Sequence, residues 1–158
     1  MQSGGFMSIY LSVLNENALI KSNAEKIYQC NELTSDYQLS LTLQEAHALA
    51  LAQQQSLKDQ GRIDLSETVI PEKIITLFSD SPYLTAENYF ESLTELIDIF
   101  YYYKSDTLEQ FSDDHLLQKM KDYFDGSCHG SLALLKNREL YRLARSIHFA
   151  GMIDESSD

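Results

Sequence analysis

Five consecutive residues, Ile99, Phe100, Tyr101, Tyr102 and Tyr103, constrain what this chain can fold into. The pattern leading to them is helical. Tyr89, Leu93, Leu96, Ile97, Phe100 and Tyr103 recur at three- and four-residue spacing, with Glu87, Glu91, Glu95 and Asp98 filling much of the rest. A helix turns about 100° per residue, so the five side chains point in nearly every direction around its axis. A helix that is apolar all round is either buried or meets a partner. Tyr and Phe are mediocre helix formers, so contacts must reward their presence. Phe100 and Tyr103 continue the stripe that faces a core. Ile99, Tyr101 and Tyr102 are surplus to it and are the candidate interface residues, because a tyrosine ring is apolar while its hydroxyl tolerates water. The competing expectation is that these three pack within the chain.

The rest of the sequence reads as helices around that one. Phe6 to Leu14 is ambiguous: Ile9, Leu11 and Val13 alternate as in a strand, while Phe6, Tyr10, Val13 and Leu14 fit a helix face. Ala24 to Cys30 reads as a short helix, and Asn31 to Ser40 as a polar connection. Thr42 and Glu45 match a capping box that opens a helix running to about Gln60, with Gly61 placed to end it. Its expected inner face is Leu43, Ala46, Leu49, Ala50 and Leu57, and Gln53-Gln54-Gln55 reads as solvated surface. Residues 62–65 alternate briefly. Pro71 places the regular part of the next helix at Glu72 to Phe78. Thr85 is expected to begin the long helix. Ser112 caps another, with Asp113 and Asp114 in its first turn, and Gly126 and Gly130 bracket a turn. A last helix spans Ser131 to Phe149, loosened near Asn137 and ended by Gly151.

The expected fold is therefore all-α: a compact single-domain bundle of five to seven helices with little or no strand. Residues 1–5 read as a flexible leader or an artificial extension, with Met7 as an alternative start. Residues 6–151 read as one helical domain, and 152–158 as a frayed acidic tail.

Charge excludes several functions. The chain of 158 residues carries a formal net charge of -12. Nucleic-acid binding rests on cationic neutralisation of phosphates, and docking on anionic membranes needs cations too, so neither partner is expected. No segment approaches the length of a membrane-spanning helix. Two cysteines, Cys30 and Cys128, are too few for a disulfide framework and read as free thiols in the cytoplasm.

Few constellations carry chemistry. Cys128 and His129 share a turn and His115 starts the preceding helix, so these three are the candidate metal ligands. Adjacent Cys-His is not a standard zinc spacing and a fourth ligand is missing, so no metal and no cofactor is assigned. Cys128 also lies shortly before a helix N-terminus, an arrangement that lowers a thiol pKa in reactive cysteines. No phosphate-binding glycine loop and no nucleophile elbow is present. Arg138, Arg142 and Arg145 recur at helical spacing in the last helix, against eleven acidic and three basic residues in 80–125. They form either internal ion pairs with that acidic surface or a site for an anion or acidic partner.

Several stretches carry a resemblance. They are residues 56–65 (Ser-Leu-Lys-Asp-Gln-Gly-Arg-Ile-Asp-Leu), 78–83 (Phe-Ser-Asp-Ser-Pro-Tyr), 91–103 with the aromatic run, and 108–124 with Ser112-Asp113-Asp114. Over residues 33–150 the chain resembles a family of small uncharacterised helical proteins, a domain of unknown function found mainly in Firmicutes. The resemblance implies a soluble bacterial protein and brings no activity and no functional residues.

The function expected from these observations is that of a non-catalytic protein-interaction module, contacting another protein or a second copy. The alternative is a small-ligand-binding protein or enzyme with a pocket between helices. A third reading is an acidic mimic that binds a basic protein.

Overall fold

In the computed structural model, which describes the backbone of residues 3–62 and 69–156 and the side chains of residues 15–62 and 69–151, the aromatic run sits in the middle of the molecule. Its helix, α5 (Tyr89–Asp106), touches α3 (Leu43–Asp59), α4 (Ile70–Phe78), α6 (Asp113–Asp125), α7 (Leu132–Leu134) and α8 (Leu140–Ser156). A helix surrounded in this way has little dry surface to spare for polar residues. Tyr89, Leu93, Leu96, Ile97, Ile99, Phe100, Tyr101 and Tyr103 are all buried. Each large side chain so placed contributes about 1.5–3 kcal/mol.

α1 (Ser3–Gln29) lies mainly along α3 and buries Ile20, Asn23, Ala24 and Ile27 against it. The small Ala46 and Ala50 of α3 are buried with Leu49 and Leu57. The short α2 (Asn31–Thr34) and a 3₁₀ turn (Ser35–Tyr37) fill the connection. Asn31 holds that connection closed: its amide donates to the Leu41 carbonyl and accepts from the Leu41 N–H, both at 2.8 Å. Six helices of nine or more residues and no strand occur among the described residues, as the apolar spacing predicts.

Several boundaries agree with the sequence reading. The Thr42 hydroxyl accepts from the Glu45 N–H at 3.0 Å while the Glu45 carboxylate accepts from the Thr42 N–H at 2.9 Å. Gly61 takes a φ of 63° just beyond α3. The Ser112 hydroxyl accepts from the His115 N–H at 3.2 Å. Asn137 lies in a wide π-helical turn, Leu135–Glu139, between α7 and α8.

Others differ, each for a physical reason. The strand alternative for residues 8–13 gives way to α1, which also absorbs the short helix expected at 24–30 and begins within the supposed leader, at Ser3. Most of the alternation at 62–65 lies outside the described residues. Thr85 does not begin α5. It forms a turn with Asn88, whose side chain accepts from the Thr85 N–H at 2.9 Å while the Thr85 hydroxyl accepts from the Asn88 N–H at 3.3 Å. The regular helix starts one residue after that closed turn. Leu43 is 56% exposed, because as the first residue of α3 it precedes the packed turns. Gly151 does not end the last helix: α8 continues to Ser156, since an interior glycine costs only about 1 kcal/mol and does not forbid helical backbone.

Candidate functional site

The surplus residues of the aromatic run separate. Ile99 is 2% exposed, Tyr101 4% and Tyr102 48%. Tyr101 packs edge-on against Phe100, ring centroids 5.1 Å apart, and its hydroxyl accepts from the Gln53 side chain at 3.4 Å. Gln53 is thereby buried in the α3–α5 contact, not solvated as its place in a glutamine run suggests. Gln55 does face solvent and bonds Asp59 at 2.8 Å. Tyr102 stays on the surface, edge-on to Tyr103 with centroids 4.9 Å apart. The Tyr103 hydroxyl donates to the Lys136 carbonyl, and burial, with Tyr102 and Asp106 nearby, pushes its pKa to about 12. The run is thus chiefly a packing element that ties α5 to α3 and to the C-terminal segment.

Beside Ile99 the packing opens into a groove of about 560 Å³ between α3, α5 and the start of the C-terminal segment. Ala52 and Ser56 come from α3, Ile99 from α5, and Leu132 and Ala133 from α7. These side chains are small or apolar. Asp59, Glu95, Asp98 and Lys136 line the same groove and are exposed. Among the described residues no cation lies within ion-pair distance of Asp59, Glu95 or Asp98. A second groove of about 400 Å³ runs between α4 and α6, but there Lys73 pairs with Asp114 at 3.0 Å. The apolar spacing of α5 places Glu95 and Asp98 off its core stripe, but it carries no sign of the depression that the small Ala52 and Ser56 of α3 set next to them.

The three arginines do not converge on one site. Arg138 is held in place, its Nε 2.7 Å from Glu139 and its Nη2 donating to the Ser127 carbonyl at 2.8 Å. Arg142 reaches the same Glu139 carboxylate at 3.8 Å, with its side chain 72% exposed. Arg145 is exposed and lies 5.9 Å from the centre of the Tyr141 ring. The expected pairing of these arginines with the acidic surface of residues 80–125 is therefore absent among the described residues. Three of its carboxylates are paired by lysines instead: Lys104 with Asp113 at 2.9 Å, and Lys121 with Asp80 at 2.7 Å and Asp125 at 2.8 Å. From α8 it is His148 that reaches across, to Asp106 at 3.7 Å.

The three candidate metal ligands do not form a cluster among the described residues. His115 is exposed and stacks edge-on against Phe111, centroids 5.0 Å apart. His129 sits at a φ of 48° in its turn, with Nδ1 3.5 Å from the Tyr83 hydroxyl. Cys128 is 1% exposed. Among the described residues no three of His, Cys, Asp and Glu are grouped to hold a metal ion. Burial, reinforced by Glu139, pushes the Cys128 thiol pKa up, opposite to what a nucleophile needs. Cys30 is likewise buried and free, and its pKa is pushed to about 11 by burial and by Glu72. Among the described residues no helix is long and apolar enough to cross a membrane.

Residues 26–152 match the model of a family of unknown function, DUF6323, and the chain belongs to that family. The match runs from the end of α1 into α8, so the groove lies wholly within it. No curated protein and no solved structure matches the chain.

Proposed function

We propose that this member of the DUF6323 family is a non-catalytic protein-interaction module of the bacterial cytoplasm, and that the groove beside Ile99 is its docking surface. The observation that carries this reading is an open groove with small and apolar walls in which three exposed carboxylates outnumber one lysine. The partner chemistry is set by that lining. A segment laid here needs apolar side chains for Ala52, Leu132 and Ala133, and Arg or Lys for Asp59, Glu95 and Asp98. An amphipathic helix with a basic edge supplies both at three- and four-residue spacing. The charge of the whole chain speeds encounter with such a partner.

The test compares two baits in affinity capture from the native host, wild type and Glu95→Lys/Asp98→Lys. Both replaced side chains are exposed, so helicity and melting temperature should stay unchanged. The proposal requires that the variant lose the partner the wild type retains. Equal capture by both baits would refute it.

A second reading, a small-ligand-binding protein or an enzyme, is favoured by the groove volume, which falls in the range of about 300–1,000 Å³ common to ligand pockets. The lining holds no His, Cys or Tyr, and so offers no residue of those types for proton transfer or nucleophilic attack near neutral pH. This reading predicts a large thermal shift with one metabolite.

A further inference from the structure

The helix that the groove calls for is present on this chain. Four side chains of α8, Tyr141, Arg142, Arg145 and Phe149, fall within about 100° of one another around the helix axis. All four are exposed, Tyr141 at 52% and Phe149 at 64%. Large exposed aromatics alternating with arginines are the composition enriched at protein contacts. Residues 136–151 carry Lys136, Arg138, Arg142 and Arg145 against the single carboxylate of Glu139, in a chain whose net charge is -12. Arg138 is already held by Glu139 and Ser127. Arg142 makes only the 3.8 Å approach to Glu139, and Arg145 rests over Tyr141.

We infer that the groove beside Ile99 receives the Tyr141–Phe149 face of α8 from a second copy of this chain. The inference rests on the docking reading of the groove and names its occupant. Arg142 and Arg145 meet Glu95 and Asp98, while Tyr141 and Phe149 cover Leu132 and Ala133. Local charge complementarity outweighs the like net charge of the two copies. At physiological salt, charges further apart than about 8 Å are largely screened, whereas pairs brought into contact are not. Two different patches can be joined in two ways: exchanged reciprocally they make a closed two-fold dimer, and joined head to tail they make a heterologous contact that closes into a ring or propagates.

Sedimentation velocity of the purified protein over a concentration series tests the inference directly. The wild type should self-associate, and added salt should weaken the association. Two variants, Arg142→Glu/Arg145→Glu and Glu95→Lys/Asp98→Lys, should each associate at least tenfold more weakly. Both carry their changes at exposed positions, and far-UV circular dichroism confirms that each is folded. Mixed together, the acidic groove of the first variant meets the basic α8 of the second, and the basic groove of the second meets the acidic α8 of the first. The mixture should therefore recover association that neither variant shows alone. A wild type that stays monomeric at every concentration would overturn the inference. So would variants that associate like the wild type, or a mixture of weak variants that does not recover. The docking reading is judged separately: if the wild type is monomeric and the groove variant still loses a foreign partner, the groove is a docking site with a different occupant, and if both baits capture equally the docking reading itself fails.

Discussion

Truncating adjacent tyrosines of α5 should have sharply unequal effects on stability. Tyr101 is 4% exposed, its ring 5.1 Å from Phe100 and its hydroxyl bonded to Gln53. Tyr101→Ala removes a buried ring and leaves a cavity that the α3–α5 contact closes only in part. Large-to-small changes of this kind cost about 3–5 kcal/mol. Domains are stable by only about 5–15 kcal/mol, so the loss is a large share. For a chain of this length each kcal/mol moves the melting temperature by about 2–4 °C, which puts the fall on the order of 10 °C. Tyr102 is 48% exposed and stands edge-on to Tyr103. Tyr102→Ala should cost less than about 1 kcal/mol, in keeping with surface substitutions. Tyr101→Phe keeps the ring, and losing one hydrogen bond should cost about 1 kcal/mol. Urea titration of the three variants beside the wild type gives the differences at fixed slope. Equal losses for Tyr101→Ala and Tyr102→Ala would refute the placement of α5 at the centre of the bundle.

Thr42→Ala should cost about 1 kcal/mol, because the Glu45 N–H loses the hydroxyl that accepts from it, while the backbone N–H of residue 42 keeps its bond to the Glu45 carboxylate, and urea titration would show it. Gly130→Ala should destabilise far more than Gly61→Ala. Both glycines have positive φ, but a Cβ at Gly130 would lie 2.4 Å from the Tyr83 side chain while one at Gly61 meets open space. Thermal melts of the two variants make that comparison. The pKa of the buried Cys30 thiol, pushed from 9.0 to about 11, sets a pH dependence. Below pH 9 the thiol is protonated in both states and the stability is fully present. As pH rises from 9 toward 11 the unfolded chain releases a proton that the fold retains, so stability should fall. Cys30→Ser should flatten that fall in urea titrations run across the alkaline range.

Much of the fold was legible because the chain marks its helix starts chemically. Thr42 with Glu45, and Ser112, cap where the sequence places them, since a side chain three residues from a backbone donor needs no distant information. The long helix was legible from its spacing, but its start was not: Thr85 bonds Asn88 in a closed turn, and a turn and a cap use the same residue types. The burial of Gln53 was within reach. Ala46, Leu49, Ala50, Gln53 and Leu57 share one face of α3, and only the neighbouring glutamines made it look solvated. The groove was out of reach. It depends on how far Ala52 and Ser56 on α3 stand from Glu95 and Asp98 on α5, a distance no local pattern encodes. The arginines were misjudged for a related reason. Arg138 and Arg142 reach the Glu139 carboxylate beside them, while lysines on other elements pair Asp113 and Asp80 of the acidic surface.

The docking surface is tested most directly by a photo-cross-linking residue placed at Ala133, an exposed wall of the groove, with Glu87 on the exposed turn before α5 as the control site. Irradiation in the native host should give an adduct at residue 133 and little at residue 87. The cross-linked peptide should carry arginine or lysine and apolar residues at helical spacing, and the inferred occupant is residues 140–151 of a second copy. Adducts no more frequent at 133 than at 87, or a cross-linked peptide that is acidic, would contradict the account.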